Sequence, residues 1–385
     1  MSDNTIAPIV IIGTGLAGYT TARELRKLDT QTPLELISAD DGHFYSKPMI
    51  SNALGRDQQP LDLPMADAAK MAADLDARVR TRTRVDAIDP QAKQLSLDGD
   101  TLAYSQLVLA LGADPVRLDL AGDADAPMSV NDLYDYMRFR DAIAGRRRVA
   151  VLGAGLIGCE FANDLLSAGF EVEVVELFDY ALGRLAPREA GEAVSEALAQ
   201  RGVKWHFGSA CKRVSRVGDG FELELDNGDI IHADAVLSAV GLRPRTALAK
   251  AAGLATDRGI VVDRYLRTSD ASIYAIGDCK QIDDLVLPFI MPIMHAARAL
   301  AKTLSGEPTQ LRYPAMPVVV KTPLHPTVVS PPAPGANGRW QVERGPEGVR
   351  ALFQNAEGAT LGFVLTGKHI LEKTALSKEL PAVLA

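Results

Sequence analysis

Short runs of consecutive apolar residues alternate along this chain with longer stretches in which apolar positions recur every three or four residues. The runs mark strands covered on both faces, and the longer periods mark helices with one buried stripe. Residues 9–12, 34–38, 107–111, 149–152, 171–175, 235–240, 260–263 and 273–276 read as strands. Helical periods cover the stretch from the third glycine of 13–18 to about 28, then 67–75, 131–144, 156–167, 189–201, 291–304 and 368–379. Residues 77–89 and 93–97 read as strands, with Asp98-Gly99-Asp100 as a hairpin turn. Residues 204–207, 211–217, 221–225 and 230–232 read as a run of short strands with a hairpin at Asn227-Gly228. Such a meander commonly covers one face of a nucleotide-binding sheet. From Tyr313 the texture changes: seven prolines crowd between 314 and 334, and short alternating segments (340–343, 351–353, 361–365) lead into the last helix. This end reads as a small α+β domain.

Two strand-to-helix passages carry the same glycine pattern. Gly13-Thr14-Gly15-Leu16-Ala17-Gly18 follows the first strand, and Gly153-Ala154-Gly155-Leu156-Ile157-Gly158 follows the strand at 149. An acid closes the next strand in each case, Asp40 after the first and Glu176 after the second, about 20 residues on. Glycines permit a tight turn, close approach of a pyrophosphate and close helix–strand packing, and the helix N-terminus supplies N–H donors to phosphate. A lone glycine triplet is as easily a surface turn; strand, helix and acid together point to two bound dinucleotides. Glu176 repels a 2′-phosphate, and the nearest following arginine is Arg184, so NADH is expected over NADPH. The strand ends at Ala110, Gly112, Gly241, Gly277 and Asp278 extend the expected binding surface. Asp278 is either a hydroxyl-binding acid at a strand's carboxyl end or a helix cap. Arg117 is either a pyrophosphate neutraliser or a surface arginine, and Lys47 and Lys321 each have a solvated-lysine alternative.

Composition narrows the setting. Of 385 residues, 47% are apolar and 23% charged, which permits two or three domains with ordinary cores. The net charge of −8 argues against nucleic acid as the main partner. Three scattered cysteines, Cys159, Cys211 and Cys279, fit a reducing cytoplasm. The first residues lack a basic n-region, so no signal peptide is expected. The most apolar run, 285–294, is short and carries two prolines, so no membrane insertion is expected. No metal site is expected, and nothing argues for obligate assembly, so a monomer is.

Taken in order, 11–18, Tyr45-Ser46-Lys47-Pro48, 153–160, 239–244 and 274–279 resemble the two-dinucleotide-binding flavoprotein disulfide-reductase superfamily over essentially the whole chain. The resemblance implies two Rossmann-like domains of the glutathione-reductase-like fold plus a small C-terminal domain. An FAD-binding domain would span 1–112 and 235–312, an NADH-binding domain 113–234, and the last domain 313–385. Disulfide reductases carry a cysteine pair near the flavin; this chain has Tyr45-Ser46-Lys47-Pro48 there, so no protein dithiol can relay electrons. Lys47-Pro48 is instead similar to the ferredoxin-, putidaredoxin- and rubredoxin-reductase branch, and the short C-terminal domain is nearest the rubredoxin reductases. FAD, NADH and rubredoxin are thereby implied, in an alkane-oxidising pathway. Ferredoxin serving an oxygenase is the alternative acceptor, and a slow-turnover NADH-responsive flavoprotein the alternative function.

The resemblance also assigns roles. Lys47 would lie beside the flavin and pair with Glu160, making these two the candidate catalytic residues. Val85 would meet the adenine, a helix starting near Ile290 would aim its positive end at the flavin, and Lys321, on the first strand of the last domain, would add charge there. Arg298, Lys302, Lys280 and Lys321 would form a basic patch for an acidic partner. Cys159 and Cys279 read as buried fillers.

Overall fold

A computed structural model describes residues 7–385; the sequence before them, where the absence of a signal peptide was read, lies outside the described residues. The first glycine pattern sits in a five-stranded parallel sheet ordered Ile273–Ala275, Gln106–Leu109, Ile9–Ile12, Leu34–Ile37, Arg78–Arg80. Residues more than 160 positions apart therefore pair side by side, Ile273 with Leu107. The second pattern sits in a four-stranded parallel sheet ordered Lys204–Phe207, Glu171–Glu176, Arg148–Leu152, Ala235–Ser238. In both sheets the patterned strand is internal and the order reverses beside it, the place where open α/β sheets bind ligands. The chain leaves the first sheet at Ala113–Pro115 and returns at Leu242–Pro244, and these two stretches pair antiparallel.

Each glycine pattern is dictated by close approach. Gly13 and Gly153 adopt φ of +111° and +99°, which side chains resist. A Cβ on Gly18 would lie 1.9 Å from the Gly13 carbonyl oxygen, and one on Gly158 would lie 1.9 Å from that of Gly153. The helices Leu16–Arg26 and Leu156–Ser167 can then start directly over the strand ends, with Gly15 and Gly155 at their N-caps. The helix Ile290–Leu304 buries Ile293, Ala296, Ala297, Leu300, Ala301 and Leu304, a clear 3–4 spacing. Pro292 is tolerated because first-turn N–H groups have no intrahelical acceptor, so its missing N–H costs no helical bond, and Gly306 ends the helix at φ +96°.

The meander Cys211–Val217, Gly220–Leu225, Ile230–Ala233 covers one face of the second sheet. Val214, Leu223, Leu225 and Ile231 form one buried cluster with Ala150, Leu152, Val175 and Val236. Several expected elements differ. The single strand 77–89 is two, Arg78–Arg80 and Val85–Asp89, broken at Arg82 with φ +51°. The expected helix 368–379 is a 3₁₀ turn, Gly367–Glu372, followed by the helix Lys373–Glu379. The proline-rich stretch holds two strands that the pattern did not announce, Val318–Val320 and Thr327–Ser330. They join Arg339–Gly345, Gly348–Gln354 and Thr360–Thr366 in a five-stranded antiparallel sheet.

That last sheet does not enclose a core of its own on both faces. Val320, Val329, Val349, Ala351 and Val364 belong to one buried cluster with Phe161 and Leu165 of the second patterned helix and Val194 and Leu198 of the helix Arg188–Ala199. Arg344 pins the same junction from outside, bridging Glu192 and Glu196. No helix among the described residues is long and apolar enough to cross a membrane.

One buried charge stands out. Lys280 is 1% exposed and its ammonium has no described hydrogen bond or ion pair; it lies 5.4 Å from the centre of the Tyr313 ring. Burial pushes its pKa down from 10.5 to about 8. The unfolded chain keeps this proton up to about pH 10.5 and the fold only up to about 8. The cost of burying the ammonium is therefore full below pH 8 and fades as pH rises from about 8 to 10.5. Lys280→Met should stabilise the protein at pH 7 by about 2–3 kcal/mol, and the gain should shrink toward zero near pH 10.5. Urea unfolding of both proteins from pH 6 to 10 measures this.

Candidate active site

The two glycine patterns open onto one connected cavity of about 2170 Å³. This exceeds the roughly 300–1,000 Å³ of a pocket for one ligand and leaves room for two dinucleotides. Gly13, Gly15, Leu16 and Ala17 line it from one side, and Gly153, Gly155, Leu156 and Ile157 from the other. A Cβ on Gly15 or on Gly155 would meet nothing within 4 Å, so these backbones face open space where a phosphate can approach. Asp40, Val85, Ala110, Gly112, Glu176, Gly241, Asp278 and Ile290 also line the cavity, as do Lys47, Glu160 and Lys321.

Four expected residues lie elsewhere. Gly18, Gly158 and Gly277 sit behind the wall, where they allow close packing; a Cβ on Gly277 would come 2.9 Å from that of Ala17. Arg117 points away, its side chain 91% exposed and 3.6 Å from Asp125. Pro115 and Leu118 on either side of it line the cavity, but the Arg117 side chain turns outward to solvent. Arg243 and Arg245 line the cavity instead, with Arg245 bonded to Asp114 at 2.6 Å.

The acids at the strand ends are already engaged. Asp40 accepts the Gly42 N–H at 2.9 Å and the Ser38 hydroxyl, and Ser38 in turn accepts from Thr14 inside the first glycine turn. Glu176 accepts the Ala154 N–H at 2.5 Å and the Phe178 N–H at 3.1 Å. Each carboxylate thus braces its own glycine turn and keeps lone pairs for a ribose hydroxyl.

The expected pairing of Lys47 with Glu160 is not formed. Glu160, 3% exposed, accepts from the Lys321 ammonium, from the Lys321 backbone N–H at 3.0 Å and from the Ser51 hydroxyl at 2.6 Å. Lys321 follows the strand Val318–Val320 rather than lying on it, and that position brings it to the base of the helix Leu156–Ser167. Lys47 instead donates to Asn131 Oδ1 at 2.6 Å. Burial lowers its pKa, and the Asp278 charge opposes that shift. Burial raises the pKa of Asp278, with Lys47 and Lys280 opposing. The expected basic patch is not assembled either: Lys280 is inside the protein, Lys321 is spent on Glu160 and Lys302 bridges Glu307 at 3.6 Å.

Asn131, Ser51 and Arg245 were not picked out from the chain. Asn131 precedes the capping acid Asp132 and merges into a helix pattern; Ser51 lies in a 3₁₀ turn, Lys47–Asn52, with no periodicity of its own. The cysteines are free. Burial pushes the Cys279 thiol up to about 11 and raises that of Cys159 further, so both behave as small apolar fillers.

Removing one member of the Glu160–Lys321 pair should expose an asymmetry. Lys321→Met leaves a buried carboxylate with neutral partners, whereas Glu160→Gln leaves a partly exposed ammonium that can reach water. Lys321→Met should cost about 2–4 kcal/mol and Glu160→Gln about half of that. The double variant should recover most of the larger loss, read from urea midpoints at pH 7 in a double-mutant cycle.

The chain matches the family description "Pyridine nucleotide-disulphide oxidoreductase" over residues 7–302 and "Rubredoxin binding C-terminal domain" over 310–380. It is 51% identical to a rubredoxin-NAD(+) reductase of Alcanivorax borkumensis over 98% of this chain and 99% of that protein. It is 46% identical to a rubredoxin-NAD(+) reductase of Acinetobacter baylyi over 94% of each. Among solved structures, a ferredoxin reductase from Rhodopseudomonas palustris superposes with a TM-score of 0.87 at 26% identity, covering 97% of this chain and 95% of that one.

Proposed function

Because the chain belongs to the pyridine nucleotide-disulphide oxidoreductase family, we propose that it is an NADH-dependent flavoprotein reductase that passes electrons to rubredoxin. The observation that carries this reading is the single cavity lined by both glycine patterns. On this reading residues 1–112 with about 242–312 hold FAD, 113 to about 241 hold NADH, and 313–385 carry the partner's docking surface; the expected boundary at 235 moves because Ala235–Ser238 pairs with Arg148–Leu152 in the second sheet. The protein acts as a monomer in the cytoplasm, and the rubredoxin serves an alkane hydroxylase, a step supported by motif likeness alone.

The residues fit the two cofactors. The Gly13 turn, the helix N-terminus at Leu16 and the acid Asp40 suit the pyrophosphate and ribose of FAD, with Val85 at the adenine end. The Gly153 turn, Leu156 and Glu176 suit NADH, and the Glu176 carboxylate repels a 2′-phosphate. Bound FAD would supply the conversion from two-electron to one-electron transfer that no side chain here performs. The chain's own part is electrostatic. The Lys47 ammonium and the N-terminal end of the helix Ile290–Leu304 present positive charge to the cavity where negative charge would grow. Glu160 holds Lys321 and Ser51 in place, joining the two nucleotide sides to the last sheet. The Cys159 and Cys279 thiols, buried and protonated, take no electrons.

The high similarity to a solved ferredoxin reductase favours ferredoxin as the second reading. Anaerobic mixing with NADH should bleach the flavin absorbance, and oxidised rubredoxin should restore it at least tenfold faster than ferredoxin. The reverse order would move the acceptor to ferredoxin, slow recovery with both would favour an NADH-responsive binding protein, and no bleaching would remove the reductase reading.

A further inference from the structure

Asn131 is buried and spans two walls of the cavity. Its Nδ2–H donates to the Ala113 carbonyl at 2.9 Å, in the strand that pairs with Leu242–Pro244. Its Oδ1 accepts from the Lys47 ammonium at 2.6 Å. Its backbone N–H donates to Asp135 Oδ2 at 3.0 Å, which pins the residue at the start of the helix Leu133–Ile143. A side-chain amide has its acceptor on one end and its donors on the other. With nitrogen committed to a backbone carbonyl, oxygen must face Lys47. The flipped amide would set N–H against an ammonium and oxygen against a carbonyl, losing both bonds.

We propose that Asn131 is a positioning residue that holds the Lys47 ammonium at the cavity wall and thereby sets the positive charge Lys47 presents to a bound flavin. The inference rests on the flavoprotein reading above. Asn131 Oδ1 is the only hydrogen-bond acceptor described for Lys47 Nζ among the described residues. Burial works against the charged form of Lys47, as does Arg245; Asp278, Asp132 and Asp135 favour it. Glu160 is held by Lys321 and Ser51 and does not substitute. Asn131 is thus a neutral acceptor that favours the ammonium without cancelling its charge, which a carboxylate at the same place would do.

The test is the midpoint potential of the bound flavin against pH in the purified full-length protein, set with dithionite and a reference dye. NADH is not used, so a protein that fails to accept electrons from NADH still reports on Asn131. Asn131→Leu, Asn131→Asp, Lys47→Met and the double variant Asn131→Leu/Lys47→Met are compared, with circular dichroism confirming that each is folded. In Asn131→Leu the break in the profile that belongs to Lys47 should move down by about one to two pH units, a ten- to hundredfold loss of proton affinity. The potential should fall in the window so opened and rejoin the unaltered protein at lower pH. Asn131→Asp keeps an acceptor, so its break should stay or move up. In the Lys47→Met background Asn131→Leu should change nothing further. Equal shifts with and without Lys47, or the same profile for Leu and Asp at this position, would overturn the proposal.

Discussion

A buried carboxylate must find donors, and Glu160 finds three from two distant residues: the Ser51 hydroxyl, the Lys321 backbone N–H and the Lys321 ammonium. Charge in a low-dielectric interior is costly unless it is paired and hydrogen-bonded. That requirement ties the first turns of the helix Leu156–Ser167 to the loop after Tyr45 and to the entry of the last sheet. The three segments meet where the two glycine patterns face each other, so one charge group helps to fix the geometry between two nucleotide sites.

The apolar packing follows the same division of labour. The first sheet has its own buried cluster, which includes the helix Ile290–Leu304. The second sheet is covered on one face by the meander, and its other cluster continues into the C-terminal sheet. The C-terminal sheet therefore shares its buried face with the second unit, while Val318, Val319 and Lys321 at its near edge line the cavity.

The chain's motifs located the wall of the cavity well. Gly13, Gly15, Gly153, Gly155, Asp40 and Glu176 stand where close approach and strand ends require them, because a glycine turn over a strand is a local device and its acid follows at a set distance. Contacts between distant segments were legible only in part. Lys47 and Glu160 both reach the cavity, but neighbours decided their partners: Asn131 intercepts Lys47, and Lys321 takes Glu160. Arg117 and Lys280 show the same limit, one left open between the site and the surface and found in solvent, the other expected on the surface and found inside.

Periodicity and glycine spacing by themselves determined the two parallel sheets, the two phosphate-facing helix starts and the meander. These are properties of neighbouring residues, governed by backbone sterics and burial of apolar runs. Only the tertiary structure decided which charges meet, which lysine is buried, and that strands 318–320 and 327–330 extend a core begun by the helices at 156 and 188. Pairing and desolvation depend on residues far apart in the chain, and no local pattern carries that information.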